Sequence, residues 1–186
     1  MAEGQSELKA FPIKFFAPVS GQTINGLIDF VEQKLREGIK RFALLISSPG
    51  GEVTPGVTAY NFLKGIPAEI ITYNLGAVDS VATVLYCVGS KRYCAPQSRF
   101  LLHGVVTGMQ AGAFDERALS ERVKSLQSDR SIISRVVADA CQRPLEKVEQ
   151  DMLQGTLLTA QEAIDYGLAH EMRQQIFASG PELVIV

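Results

Sequence analysis

Residues 41–47, RFALLIS, hold five consecutive apolar side chains with no polar residue at alternate positions. A strand with one wet face alternates apolar and polar residues, so this run belongs to a sheet covered on both faces. It leads into Ser48-Pro49-Gly50-Gly51 and then into a helical segment reaching about Lys64, with Thr54 as the expected N-cap and Pro55 at the first helical position. Strand, tight turn and helix in succession make the repeating unit of an α/β fold.

The same grammar continues along the chain. "PIKFFAP" (12–18) reads as a first strand, and Ile24, Leu27, Ile28, Val31 and Leu35 mark one face of a helix over 23–37 that Gly38 ends. "AEIITYN" (68–74) reads as a strand and 79–89 as a buried helix closed by Gly89, with a glycine turn at Gly76 between them. "KRYCA" and "SRFLLHG" read as two short strands, 112–141 as a long charge-rich helix with a possible break, and Pro144 as the opening of another helix. Thr159 and Glu162 fit a capping box for a last helix that Gly167 terminates. The pattern predicts an α/β fold with a mostly parallel sheet, as one domain over residues 1–186.

Composition narrows the function. A net charge of −2 without a basic run argues against nucleic acid or an anionic membrane as partner. No stretch has the length of a membrane span, and the first residues lack the apolar core of a secretory signal, so a cytoplasmic protein is expected. Cys87, Cys94 and Cys141 are odd in number and have no metal-type spacing, which predicts buried free thiols and no metal site.

Sites in parallel sheets form beyond the carboxyl ends of strands, and three such ends carry unusual residues. At the first, Gly50 and Gly51 leave the backbone bare for a ligand. At the second, Ser80 opens a helix, where unpaired N–H groups favour a developing oxyanion. At the third, His103 ends "RFLLHG", while the other histidine, His170, lies near the C-terminus. Each has an ordinary reading: a tight turn, an N-cap, a structural imidazole. Together they make an oxyanion site, a nucleophile and a base.

These segments resemble the proteolytic subunit of the Clp protease, in the ClpP/crotonase fold group. The family's Ser-Pro-Gly-Gly loop matches Ser48–Gly51, followed by a similar Thr-x-Gly at Thr54 and Gly56. Its Gly-x-Ala-x-Ser-Met-Gly-Ala segment is similar to Gly76–Thr83 and places the serine at Ser80, 29 positions after Gly51 as in the family. "GSKRYCAPQSRFLLHG" resembles the stretch that ends on the base, at His103, and "LLTAQEAIDYGLAHEM" the family's closing Leu-Ser-Ala-x-Glu-Ala segment. The similarity runs in order over residues 12–173.

The resemblance implies repeated β-β-α units with a mostly parallel sheet and a protruding long helix. It implies a serine endopeptidase without cofactor: Ser80 as nucleophile, His103 as base, and the backbone N–H groups of Gly51 and Val81 as oxyanion hole. Peptide or unfolded protein would add as a strand beside Gly50, Gly51, Glu52 and Val53. Family members form stacked rings around a chamber fed by an AAA+ unfoldase. A homo-oligomeric ring is therefore expected, with helix 112–141 at the ring-to-ring contact. The segment before the first strand is shorter than in typical members, which weakens the expectation of an unfoldase partner.

The chain departs from the family at the third catalytic residue. The aspartate preceding the closing segment falls on Gly155, and Asp151, one helical turn upstream, is the candidate replacement. Asp79 beside Ser80 reads as an N-terminal helix carboxylate whose charge opposes a nearby alkoxide. Val81 and Ala82 stand where the family has Met and Gly. Two alternatives remain: a catalytically silent ring subunit, and an acyl-CoA enzyme of the crotonase branch using the same oxyanion loops.

Overall fold

The computed structural model describes residues 10–108 and 111–175. In chain order the elements are β1 (Phe11–Phe15), α1 (Gly21–Arg36), β2 (Arg41–Ser48), α2 (Val53–Gly65), β3 (Glu69–Asp79) and α3 (Ala82–Tyr86). There follow β4 (Lys91–Cys94), β5 (Arg99–Leu102), α4 (Glu116–Cys141), α5 (Leu145–Gln154), β6 (Thr156–Thr159), α6 (Ala160–Tyr166) and β7 (Glu171–Met172). The strands form one sheet in the order β1-β2-β3-β4-β7, with β5 on β3 and β6 on β5. Every pairing is parallel except β5 with β6.

The run 41–47 is covered on both faces, as its composition requires. Phe42, Leu44 and Ile46 join the main core with α1, α2 and α3, while Ala43 and Leu45 pack with Ile71, Tyr73 and Tyr93 on the other face. Ser20 and Thr23 form a capping box for α1, and Thr159 and Glu162 form the expected one for α6, which Gly167 ends at φ 84°. The three cysteines are free and buried, and burial pushes the Cys87 thiol up to about 12 and Cys141 to about 11.

Three expectations change. Helix α2 starts at Val53 rather than behind a Thr54 cap, because the Glu52 N–H donates to the Val19 carbonyl (2.9 Å) and holds the chain extended until the residue before. Pro55 then falls in the first turn, where a missing N–H has no partner to lose. Helix 112–141 is unbroken from Glu116, and its first half is exposed, with burial confined to Ile133, Ser134, Val137, Ala138 and Cys141.

The third change bears on the site. The chain does not turn at Gly76; β3 continues to Asp79. Its first half pairs with β4 at Ile71–Asn74 and its second half with β5 at Ala77–Asp79. On the β2 side the register moves from Ile46↔Asn74 to Ser48↔Val78, so β3 carries two extra residues at this fork. Asn74, wholly buried, pins it: its side chain accepts from the Gly76 N–H (3.0 Å) and donates to the Arg99 carbonyl (2.7 Å).

At the far end of the sheet, buried Arg92 donates to the carbonyls of Leu168 (2.7 Å), Ala140 (2.8 Å) and Gly167 (3.1 Å). Its backbone N–H donates to Nδ1 of His170 (3.1 Å), which must be unprotonated to accept. Burial and the Arg92 charge hold the His170 pKa below its ordinary value. The neutral ring is the folded form, so this contribution is full above the ordinary pKa and is lost as pH falls through the lowered one. The melting temperature is expected to fall modestly from about pH 7.5 to about pH 5. His170→Gln, whose amide oxygen accepts at either pH, should show a smaller fall; equal falls in thermal melts of both proteins would remove His170 as a cause.

Candidate active site

Ser80 is built into a strand-to-helix turn. Its N–H donates to the Leu101 carbonyl (2.8 Å), continuing the β3–β5 ladder by one bond. Its carbonyl accepts from the N–H (3.0 Å) and the hydroxyl (2.7 Å) of Thr83, which fastens the following turn. Between these anchors Ser80 adopts φ 58°. That left-handed conformation costs a non-glycine residue roughly 1–2 kcal/mol. A strained serine at a strand-to-helix turn is a backbone arrangement that nucleophile elbows share. Ser80 is partly exposed, and its hydroxyl makes no hydrogen bond among the described residues.

The Gly50–Gly51 loop lies directly against it. Gly50 has φ 86°, and a Cβ there would stand 2.6 Å from the Ser80 Cβ and 2.7 Å from the Asp79 carbonyl oxygen. Gly51 forms a parallel bridge with Val19, in which Val19 donates to the Gly50 carbonyl (2.8 Å) and accepts from Glu52. That leaves the Gly51 N–H on the opposite edge, and neither it nor the Val81 N–H donates a backbone bond among the described residues. Val81 is fully buried, wedged against Gly56 of α2, where a Cβ would stand 2.5 Å from Val81 Cγ2. Gly56 thus lets α2 approach the Ser80 turn. Of the four residues expected to pair with an added strand, Gly51 bridges Val19 and Glu52 is extended, whereas Gly50 is left-handed and Val53 is the first residue of α2 and cannot continue a strand edge.

His103 follows the last residue of β5, is partly exposed, and makes no side-chain hydrogen bond among the described residues. The β3–β5 register sets Asp79 opposite Leu101, so Ser80 and His103 leave the ends of neighbouring strands. On the other side, β5–β6 pairs Leu102 with Thr156, and one further step sets Gly155 opposite His103. Gly155 stops α5 at φ 73°, and a Cβ there would meet nothing within 4 Å.

Asp151 is buried in α5, and its two oxygens accept from Lys147 Nζ (2.6 Å) and the Tyr166 hydroxyl (2.8 Å). That carboxylate clamps α5 to the end of α6. Asp79 is buried too and does not cap a helix, because α3 starts three residues later. Its Oδ2 accepts from Arg99 Nη2 (2.9 Å), an ion pair between residues 20 apart that no local pattern announces. Burial pushes the Asp79 carboxyl up, while Arg99 and His103 oppose that shift. Among the described residues, no three His, Cys, Asp or Glu side chains are placed to hold a metal, and no helix is long and apolar enough to cross a membrane.

A mostly parallel α/β sheet, a glycine loop against a strained serine and a long outlying helix define the ClpP-like class of fold. The chain belongs to the Clp protease family, whose family model matches residues 13–175. It is 34% identical over 131 residues to the ATP-dependent Clp protease proteolytic subunit 2 of Thermobifida fusca (strain YX), covering 69% of this chain and 63% of that one. It is 35% identical over 127 residues to the ATP-dependent Clp protease proteolytic subunit of Paracoccus denitrificans, covering 67% and 62%. The alignments thus span a little under two thirds of these relatives' length.

Proposed function

We propose that this chain is a serine endopeptidase in which Ser80 is the nucleophile and His103 the general base. The observation that carries the reading is the left-handed Ser80 held against the bare Gly50 backbone. His103 takes the Ser80 Oγ proton as the oxygen attacks the peptide carbonyl, and returns it to the leaving amine. The oxyanion of the tetrahedral intermediate is met by the N–H groups of Gly51 and Val81, which have no competing backbone acceptor among the described residues. In the second half His103 takes a proton from the water that attacks the acyl-enzyme and delivers it to Ser80 Oγ as the carboxylic acid product leaves. Peptide would lie along the free edge of Gly51, opposite Val19.

Family membership and the exposed first half of α4 support assembly into rings of this chain, with Phe114, Leu119 and Val123 as the apolar contacts that the chain alone leaves in water. The relatives' names describe ATP-dependent systems; an AAA+ unfoldase partner here is part of the proposal.

A second reading, a catalytically silent ring subunit, draws on one observation: Gly155 puts no side chain beside His103. A serine-reactive fluorophosphonate separates the two. Labelling that disappears in both Ser80→Ala and His103→Ala is expected. Undiminished labelling of Ser80→Ala would relocate the nucleophile, and an unlabelled but assembled wild type would favour the silent subunit.

A further inference from the structure

We propose that Asp79 orients His103, taking the positioning role that Gly155 cannot fill. This rests on the assignment of Ser80 and His103 above.

The register supplies the first argument. In the parallel β3–β5 pair, Ala77 lies beside Arg99, Val78 beside Phe100 and Asp79 beside Leu101. Side chains alternate between faces, so Arg99 and Leu101 share the face of Asp79, while Val78 and Phe100, both wholly buried, point into the core, and His103 follows directly on the end of β5, two residues beyond Leu101. Asp79 therefore sits between Arg99 on one side and His103 on the other.

Hydrogen-bond accounting supplies the second. Arg99 satisfies Oδ2 of Asp79, but Oδ1 is buried and has no donor among the described residues. A buried carboxylate oxygen without a donor is costly and uncommon. His103 has the matching deficit. A neutral imidazole whose Nε2 accepts from Ser80 carries its proton on Nδ1, and that N–H has no acceptor among the described residues. The orphan oxygen belongs to the last residue of β3 and the orphan N–H to the residue that follows neighbouring β5, and Arg99 and His103 are the two side chains whose charge favours the ionised Asp79 carboxyl.

The roles follow. Asp79 Oδ1 accepts from Nδ1–H, which fixes the tautomer and leaves Nε2 free for the Ser80 proton. When the imidazole becomes imidazolium, the carboxylate stabilises it without taking its proton. Arg99 holds the other oxygen and fixes the carboxylate plane. The other two candidate positions are otherwise engaged: Asp151 is bonded to Lys147 and Tyr166, and Gly155 serves as a left-handed helix stop.

The test compares wild type, Asp79→Asn, Gly155→Asp and the double variant, each checked for folding by circular dichroism. Two readouts are used: the second-order rate of fluorophosphonate labelling across pH, and the titration of the two histidine rings by NMR, with His170→Gln assigning them. Asp79→Asn is expected to slow labelling on the order of 10³-fold and to move the midpoints of both the rate profile and the His103 ring to lower pH. Gly155→Asp, whose new side chain enters open space opposite His103, should restore at least part of that loss in the double variant. An effect on folding alone would leave both midpoints in place. Unchanged labelling and an unchanged His103 titration in Asp79→Asn would overturn the proposal while leaving Ser80 and His103 intact. Wild type that fails to label would sink the peptidase reading instead, and the His103 titration would still decide whether Asp79 contacts the ring.

Discussion

Replacing Gly50 by alanine is expected to lower the rate of acylation at Ser80 at least about 10³-fold while leaving the sheet folded. Two separate effects combine. The φ of 86° is left-handed, which costs an alanine about 1 kcal/mol or more. The larger effect is steric: the new methyl would stand 2.6 Å from the Ser80 Cβ and 2.7 Å from the Asp79 oxygen, both parts of a braced turn. Since Ser80 is tied to Leu101 and Thr83, the loop must retreat, and the Gly51 N–H retreats with it. A displacement of about 1 Å is enough to cost roughly 10² in rate, and loss of an oxyanion donor a further 10² or more. Gly38→Ala is the control: its φ of 89° is also left-handed, but a Cβ there meets nothing within 4 Å. That variant should lose stability on the order of 1 kcal/mol and keep its labelling rate. Near-wild-type labelling of Gly50→Ala, measured with the same fluorophosphonate, would mean that this loop does not set the geometry of the nucleophile.

Arg92→Met should be the most damaging change to stability described here. The substitution removes one cation and leaves its carbonyl partners in place. Those carbonyls belong to the last turn of α4, at Ala140, and to the turn after α6, at Gly167 and Leu168. Helix-end carbonyls depend on such donors, and a positive charge there also complements the helix dipoles. Leaving several of them without a donor costs about 3–5 kcal/mol, or roughly 6–20 °C in melting temperature for a chain of this size. Arg92→Lys should fall between the two, because a single ammonium cannot reach three carbonyls in two separate segments as a guanidinium does. Thermal melts at one fixed protein concentration test the order. Met melting at or above Lys would contradict the account.

The parts of this molecule governed by local rules were legible in its sequence. The covered strand 41–47, the stop at Gly38 and the Thr159–Glu162 box each depend on residues within a few positions of one another, and each is found in the structure. The misread parts depend on distant partners. Gly76 reads as a turn because glycine usually breaks a strand, yet Asn74 bonds Arg99, 25 residues away, and carries the strand past it. β6 carries no local strand signal, because its four residues are held extended by their pairing with β5. The candidate site divides the same way. Ser80, His103 and the two glycines stand out by residue type and position, whereas the burial of Asp79, its pairing with Arg99 and the two bonds of Asp151 exist only once the chain is folded.

The fork in β3 has a consequence of arithmetic. The strand gains two residues against β2 between Asn74 and Val78, and two is an even number. Side chains along a strand change face at every residue, so an even gain lengthens the path without turning the strand over. Val78 therefore remains in the core beside Ile46, and Asp79 remains on the outward side with Arg99. A gain or loss of one residue at the same place would exchange them, moving a carboxylate from its place beside Arg99 into the apolar core with Phe42 and Phe100 and turning a valine to the opposite face. Between Asn74 and Val78 the length of the chain is thus constrained in parity before it is constrained in composition.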